Sequence, residues 1–160
     1  MPFFKTPEKS TRSKVLQNIK ASGFKSTVKY KTPDRFLAID DEKKLWFVLD
    51  EQHPSKCKVH SYSDIVDVEI LKDQQTVIKS STGSAIGRGI VGGMLFGGVG
   101  AIVGGNSAKQ TTSTQLTQLG VRLIINDVKE PMVYINCIHA RDQVESIYGS
   151  FLAIYKSNHQ

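Results

Sequence analysis

Hydrophobic and polar residues alternate with a period of two along most of the chain, and this pattern predicts β-strands. The alternation is clear at Val66, Val68 and Ile70, which are separated by the polar residues Asp67 and Glu69. Short polar turns separate one such run from the next. We therefore predict seven strands, which cover residues 36–39, 44–49, 57–61, 65–71, 76–80, 117–125 and 132–138.

Two other segments follow the helical period instead. Near the N-terminus, Val15, Leu16 and Ile19 lie on one side of a short helix predicted over residues 13–21, and Gly23 follows as a stop signal. At the other end of the chain, apolar residues recur at helical spacing from residue 140 onward. This C-terminal stripe must pack against the sheet, and it comprises Val144, Ile147, Tyr148, Phe151, Leu152 and Tyr155.

A glycine-rich segment interrupts the strands between residues 80 and 117. Small residues recur there at every fourth position, a spacing that places them on one helix face where another backbone can approach closely. These small residues are Gly89, Gly93, Gly97, Ala101 and Gly105. We expect this segment to form a membrane or oligomer interface, together with Ile90, Met94, Leu95, Phe96, Val99 and Ile102.

The glycine segment is long enough to cross a bilayer, because the twenty uncharged residues 89–108 would span about 30 Å as a helix. If the flanking strands belong to one domain, however, both ends of the segment must emerge on the same side of a membrane. A single full span conflicts with that fold. We therefore favour a hairpin of two short helices or a packed helix, used for self-association or shallow insertion, over a flexible glycine-rich loop.

The net charge of +6 is concentrated near the N-terminus, because residues 1–35 hold nine basic and two acidic residues. Such an arm can hold an anionic membrane surface or follow a nucleic-acid backbone, and the alternative is a solvated tail. The residues that we expect to contact an anionic surface are Lys5, Lys9, Arg12, Lys14 and Lys20.

No motif in the sequence requires catalysis, a cofactor or a metal. Residues 87–92 match GxGxxG, but a dinucleotide site also needs an acidic residue about 20 positions later, and none occurs between Asp73 and Asp127. Cys57 and His60 have zinc-ligand chemistry, yet a separation of three on a strand directs side chains to opposite faces. We predict a protein that is not an enzyme.

The strand run over residues 62–70 and the glycine block over residues 87–105, in a chain that ends with an amphipathic helix, resemble the bacterial pleckstrin-homology-like domains. Small bacterial and prophage proteins of this kind have a glycine segment between the fifth and sixth strands. The resemblance implies an α+β, mainly β fold, a seven-strand meander or barrel closed by the C-terminal helix. It covers residues 36–155.

The expected organisation is a basic N-terminal arm with a short helix over residues 1–34, then a pleckstrin-homology-like domain over residues 35–160. The glycine-zipper insertion at residues 83–110 interrupts this domain. The first residues lack the apolar run of a secretory signal, and the two cysteines form no CxxC pair. We expect a cytoplasmic protein, peripheral on the inner face of the cell membrane.

Two hypotheses for the function remain open from the sequence. The first is a non-enzymatic scaffold that associates with a membrane surface or self-assembles through its glycine zipper. The second is a basic module that binds nucleic acid or protein as a homo-oligomer. A homo-oligomer is expected under both hypotheses, an anionic membrane surface is the favoured partner, and nucleic acid is the less favoured one.

Overall fold

The computed structural model describes residues 7–73, 75–79 and 117–159. The predicted glycine-zipper interface, residues 89–105, lies outside the described residues, as does Lys5. The chain forms two compact units, Met1–Asp64 and Ile65–Gln160.

The first unit contains helix α1 (Pro7–Ala21) and four strands. The strands are β1 (Val28–Lys31), β2 (Arg35–Asp40), β3 (Leu45–Asp50) and β4 (Val59–Ser61). They form an antiparallel sheet in the order β1-β2-β3-β4. A 3₁₀ turn over Pro54–Lys56 connects β3 to β4, and a second over Tyr62–Asp64 follows β4.

Helix α1 packs against one face of this sheet. The apolar residues Val15, Leu16 and Ile19, predicted to share one side of the helix, are partly buried against a cluster that includes Phe24 and Phe47. The helix is longer at its N-terminal end than the predicted range 13–21. Apolar contact with the sheet therefore holds the helix in place.

The second unit contains four strands and the C-terminal helix. The strands are β5 (Ile65–Lys72), β6 (Gln75–Lys79), β7 (Leu119–Ile125) and β8 (Met132–Asn136), and helix α2 covers Val144–Asn158. These strands form a second sheet in the order β6-β5-β7-β8. All three pairings in it are antiparallel.

One face of the second sheet is apolar and supports α2. Val68, Ile70, Val121 and Leu123 are fully buried, and α2 contacts β5 and β7. The helix buries Val144, Ile147, Tyr148, Phe151 and Ile154. The predicted stripe is thus largely confirmed, although Leu152 and Tyr155 are only half-buried and Ile154 takes a core position instead.

The prediction of seven strands in one meander or barrel is wrong in two respects. The described residues form eight strands, because Val28–Lys31, assigned to the basic arm, pairs with β2. They also form two separate sheets of four strands and no closed barrel. The mainly β architecture with a C-terminal helix is confirmed.

The strands that flank the insertion are also related differently from the prediction. Both β6 and β7 pair antiparallel with β5, one on each side of it, so β6 and β7 run parallel to each other. β6 runs away from the turn at Asp73, whereas β7 begins beside that turn. β6 and β7 nevertheless belong to one sheet, which is the premise of the expectation that both ends of the insertion emerge on the same side of a membrane, and that expectation stays a prediction.

Candidate functional site

The predicted contacts to an anionic surface differ in their surroundings. Lys9, Arg12, Lys14 and Lys20 all lie on α1. The side chains of Lys14 and Lys20 are exposed, and within the described part of the chain neither has an ion-pair partner. They fit the predicted role sterically, and that role stays a prediction.

Arg12 is engaged within the protein. Its guanidinium donates two hydrogen bonds to the Glu51 carboxylate, at 2.6 Å from Nε and 3.1 Å from Nη2. It also lies over the Phe36 ring, 5.6 Å from the centroid. A paired geometry of this kind fixes the side chain. Arg12 therefore attaches α1 to the end of β3, a contact that no local pattern indicates because the partners are 39 residues apart.

Acidic residues of the first unit are mostly occupied by partners within that unit. Arg35 pairs with Asp34 and with Asp50, and Lys44 pairs with Asp41. The ammonium of Lys44, together with the Tyr62 hydroxyl, lowers the pKa of the Asp41 carboxyl. The negative charges of these acids are therefore balanced by basic side chains of the same unit.

Asp40 is a structural residue that the sequence does not reveal. It is fully buried, and its carboxylate accepts the backbone N–H groups of Lys25, at 2.8 Å, and Lys43, at 3.0 Å. These hydrogen bonds, that of Lys25 foremost, lower the pKa of Asp40. The carboxylate of Asp40 thus connects the loop after α1 to the β2–β3 turn.

The two units differ in charge. Residues 1–64 contain 13 basic and 8 acidic residues, a net charge of +5, whereas residues 65–160 contain 8 and 7, a net charge of +1. Lys25 and Lys29 are exposed in addition to Lys14 and Lys20, and neither has an ion-pair partner among the described residues. The exposed positive charge thus extends beyond the five residues predicted to contact an anionic surface.

A second structural carboxylate stands where the chain returns from the insertion. Asp73 Oδ1 accepts the N–H of Thr117 at 2.7 Å, the Thr117 hydroxyl at 2.9 Å and the N–H of Gln118 at 3.2 Å. The Asp73 N–H donates to the Gln118 carbonyl oxygen at 2.9 Å. The bonds from Thr117, its N–H foremost, lower the pKa of Asp73. This carboxylate fixes the start of β7 to the β5–β6 turn.

Charged side chains also meet on the second sheet, on the face opposite Val68 and Ile70. Glu69 is buried, and its carboxylate accepts a hydrogen bond from Arg122, with 2.7 Å between Arg122 Nε and Glu69 Oε2. Lys79 lies 3.8 Å from both Asp67 and Glu69. The charges of the two acidic and two basic side chains in this network therefore sum to zero. The network has no net charge that would attract a charged ligand.

The described residues offer little for redox or metal chemistry. No group of three or more potential metal ligands occurs among the residues described, and Cys137 is buried. Burial raises the pKa of the Cys57 thiol to about 11, which disfavours a reactive thiolate. Across those same residues, no helix is long and apolar enough to cross a membrane.

Comparison with known proteins gives the context for this geometry. The chain is 26% identical over 113 residues to an immunity protein of Bacillus phage SPbeta, a match that covers 71% of this chain and 54% of the relative. It is also 26% identical over 113 residues to the SPbeta prophage-derived uncharacterized membrane protein YomJ of Bacillus subtilis strain 168, covering 71% of this chain and 48% of the relative.

The chain thus spans about half the length of the curated relatives that it matches. No solved structure matches it. The family model described as the glycine zipper containing PH domain matches residues 24–139, which is more than half of the chain. The chain therefore belongs to this family of PH-like, glycine-zipper proteins, and the two relatives named above come from a Bacillus phage and from its prophage in Bacillus subtilis.

Proposed function

We propose that the protein is a non-enzymatic scaffold that associates with an anionic membrane surface. In this proposal the first unit contacts lipid headgroups through its exposed lysines. The glycine zipper over residues 89–105 inserts shallowly into lipid or packs against other copies of the chain. The main support is a surplus of exposed lysines that have no ion-pair partner among the described residues, in a unit whose described acids are largely engaged with internal partners.

The electrostatic free energy that these lysines contribute is sufficient for weak, reversible binding to an anionic membrane. A basic residue close to an anionic leaflet contributes about 1 kcal/mol. Lys14, Lys20, Lys25 and Lys29 together would then contribute about 4 kcal/mol, before any loss of side-chain freedom. Stable anchoring requires a second signal, and in the proposal the glycine zipper provides it. That one of the relatives is named a membrane protein is consistent with this role.

Flotation of the full chain with vesicles tests the proposal. We expect co-flotation with phosphatidylglycerol-containing vesicles, and we expect Gly93→Leu combined with Phe96→Asp to weaken it by about tenfold or more. The physical reason is that the leucine blocks close backbone approach and the aspartate opposes transfer into lipid.

A matched control introduces the same two side chains, leucine and aspartate, at positions outside the glycine zipper. In Gly149→Leu combined with Met132→Asp, the glycine has open space around it and the methionine is 56% exposed. We expect this control to float like the wild type. Salt-sensitive binding to an oligonucleotide without any flotation would instead support the basic nucleic-acid-binding module, and the membrane proposal would then fail.

A further inference from the structure

We propose that anionic lipid headgroups occupy one particular groove of the first unit, between α1 and the edge strand β1, and that Lys20, Lys25 and Lys29 contact them there. This inference rests on the proposed membrane function and specifies its contact surface. Two of these three lysines lie outside the set predicted from the sequence, and the groove excludes Arg12, which is bonded to Glu51.

The direction of α1 over the sheet is fixed by contacts at its two ends. Arg12 meets Phe36 and Glu51, which lie at the end of the sheet where β2 begins and β3 finishes. Gly23 follows the last turn of the helix and lies against the Lys43 ammonium, in the β2–β3 turn at the other end. Helix α1 therefore runs in the same direction as β2.

The order of the strands beneath the helix follows from the hydrogen bonds of β2. Its odd-numbered residues bond to the β1 side, because the carbonyls of Arg35 and Ile39 accept from Thr32 and Thr27. Its even-numbered residues, such as Ala38, face α1. For L-residues this arrangement places β1 to the left and β3 to the right when α1 is seen from solvent running upward.

The handedness of the helix then decides which flank faces β1. With Val15, Leu16 and Ile19 against the sheet, a right-handed helix directs Ser13 and Lys20 to the left, towards β1, and places Gln17 between that flank and the solvent-facing side. The opposite flank must face β3 and the 3₁₀ turn Pro54–Lys56, and α1 does contact that turn. Lys20 is therefore on the β1 side of α1.

The lysines of β1 face the same groove. Lys29 is paired in register with Ala38, and directly paired residues point to the same face of a sheet. Ala38 belongs to the cluster under α1, so Lys29 projects on the α1 side, where it is exposed. Lys25 is exposed in the loop between α1 and β1, and its N–H is bonded to Asp40.

The chemistry of the groove favours headgroups over single-stranded nucleic acid. Its exposed residues include Ser13, Gln17 and Ser26 besides the lysines. Sites for single-stranded nucleic acid combine a basic groove with aromatic stacking platforms, and the exposed positions of this groove are polar or basic. Asp40, whose carboxylate accepts the Lys25 N–H, is buried and accepts the Lys43 N–H as well, so this acid is engaged with backbone groups and not with the lysine side chains.

A charge-matched pair of variants of the full chain tests the groove. One variant carries Lys20→Gln, Lys25→Gln and Lys29→Gln, and the control carries Lys56→Gln, Lys129→Gln and Lys156→Gln, which are exposed lysines elsewhere. Partitioning is measured on phosphatidylcholine vesicles with and without phosphatidylglycerol. We expect the groove variant to lose about fivefold per lysine, roughly a hundredfold in all, and the control less than a tenth of that loss.

Each outcome separates the inference from the function on which it rests. If wild type partitions to anionic vesicles but both variants lose affinity equally, membrane association stands and the groove inference is wrong. If the wild type does not partition at all, the proposed function fails. If only oligonucleotide binding responds to the groove variant, the groove serves nucleic acid and the headgroup inference is overturned.

A second measurement tests which flank of α1 contacts the vesicle, without removing any lysine. A polarity-sensitive fluorophore on Gln17→Cys lies at the solvent edge of the groove, on the β1 side of α1, whereas the same probe on Asn18→Cys faces the other flank, and both positions are exposed. The native thiols interfere little, because Cys137 is buried and Cys57 has its pKa raised to about 11. Vesicles should shift the Gln17 probe further to the blue, and equal shifts would contradict the proposed groove.

Discussion

Gly23 ends α1 in a backbone conformation that few other residues adopt. Its φ is +90°, in the left-handed region that glycine enters without a steric penalty. Its N–H donates to the Lys20 carbonyl oxygen, and the Phe24 N–H donates to that of Ile19. These bonds satisfy carbonyls at the helix end and direct Phe24 into the core.

Replacing Gly23 with alanine should therefore destabilise the first unit. We expect Gly23→Ala to lower the free energy of unfolding by about 1–2 kcal/mol. The added Cβ would also meet the Lys43 ammonium, but that flexible side chain can move, so most of the penalty is in the backbone. Urea unfolding followed by circular dichroism measures this difference.

Gly149 provides the matched control, because it lies inside α2 with nothing near its missing Cβ. Gly149→Ala should stabilise the protein by about 0.5–1 kcal/mol, the difference in helix propensity. Equal destabilisation by both alanines would contradict the role given to the Gly23 backbone.

At the level of single residues, the sequence predicted local roles better than distant ones. Gly23 was predicted to stop the helix and Val15, Leu16 and Ile19 to share a face, because helix signals are local. The pairing of Arg12 with Glu51 joins residues far apart in sequence. Only folding brings such partners together, so the sequence alone suggested an unpaired cation.

Among the elements, the β5–β6 turn and the start of β7 are joined by one carboxylate. Asp73 occupies the turn with φ of +51°, and it accepts three hydrogen bonds from Thr117 and Gln118. A charged acceptor forms stronger hydrogen bonds than a neutral one. The ionised form of Asp73 is therefore favoured in the folded chain, as its lowered pKa indicates.

The lowered pKa predicts how the stabilisation by Asp73 depends on pH. A carboxyl with a depressed pKa contributes stability above its unfolded value of about 4, and this contribution is lost as pH falls through the folded pKa. Asp73→Asn keeps the shape and tolerates the left-handed turn. We expect the variant to be less stable than the wild type at neutral pH.

The difference between wild type and Asp73→Asn should shrink steadily as the pH falls below about 4. Urea midpoints measured across the acid range test this, with Asp142→Asn, an exposed acid, as the control. A difference that is independent of pH would mean that the charge of Asp73 contributes nothing.

Strand positions were more predictable than strand partners. Each of the seven predicted strands overlaps an observed one, because the alternation of apolar and polar residues is a property of the local sequence. β1 was not predicted, because Lys29 and Lys31 led us to assign Val28–Lys31 to the basic N-terminal arm. The placement of β5 between β6 and β7 depends on long-range pairing, which alternation does not encode.

At the level of the whole molecule, the glycine zipper is the feature expected to bring copies of the chain together. We predict a homo-oligomer that Gly93→Leu with Gly97→Leu shifts towards the monomer mass of 17.7 kDa. Leucine side chains at these positions would keep two backbones apart. Sedimentation velocity measures the mass, and Gly149→Leu, which adds the same side chain where space is open, should leave it unchanged.

A wild-type chain that sediments as a monomer would contradict the predicted self-association. The membrane proposal would survive that result, because shallow insertion requires only one copy. The two roles of the zipper can therefore be separated by experiment, although the sequence assigned them to the same residues.

The parallel course of β6 and β7 limits how the gene for such a protein can change. A tight turn joins antiparallel neighbours, whereas parallel strands need a connection of about a dozen residues or more. The 39 residues between Lys79 and Leu119 can thus be exchanged or shortened only down to that length. A deletion that left a two-residue turn would force β6 out of the sheet, so loss of the zipper requires either a retained spacer or a re-paired edge strand.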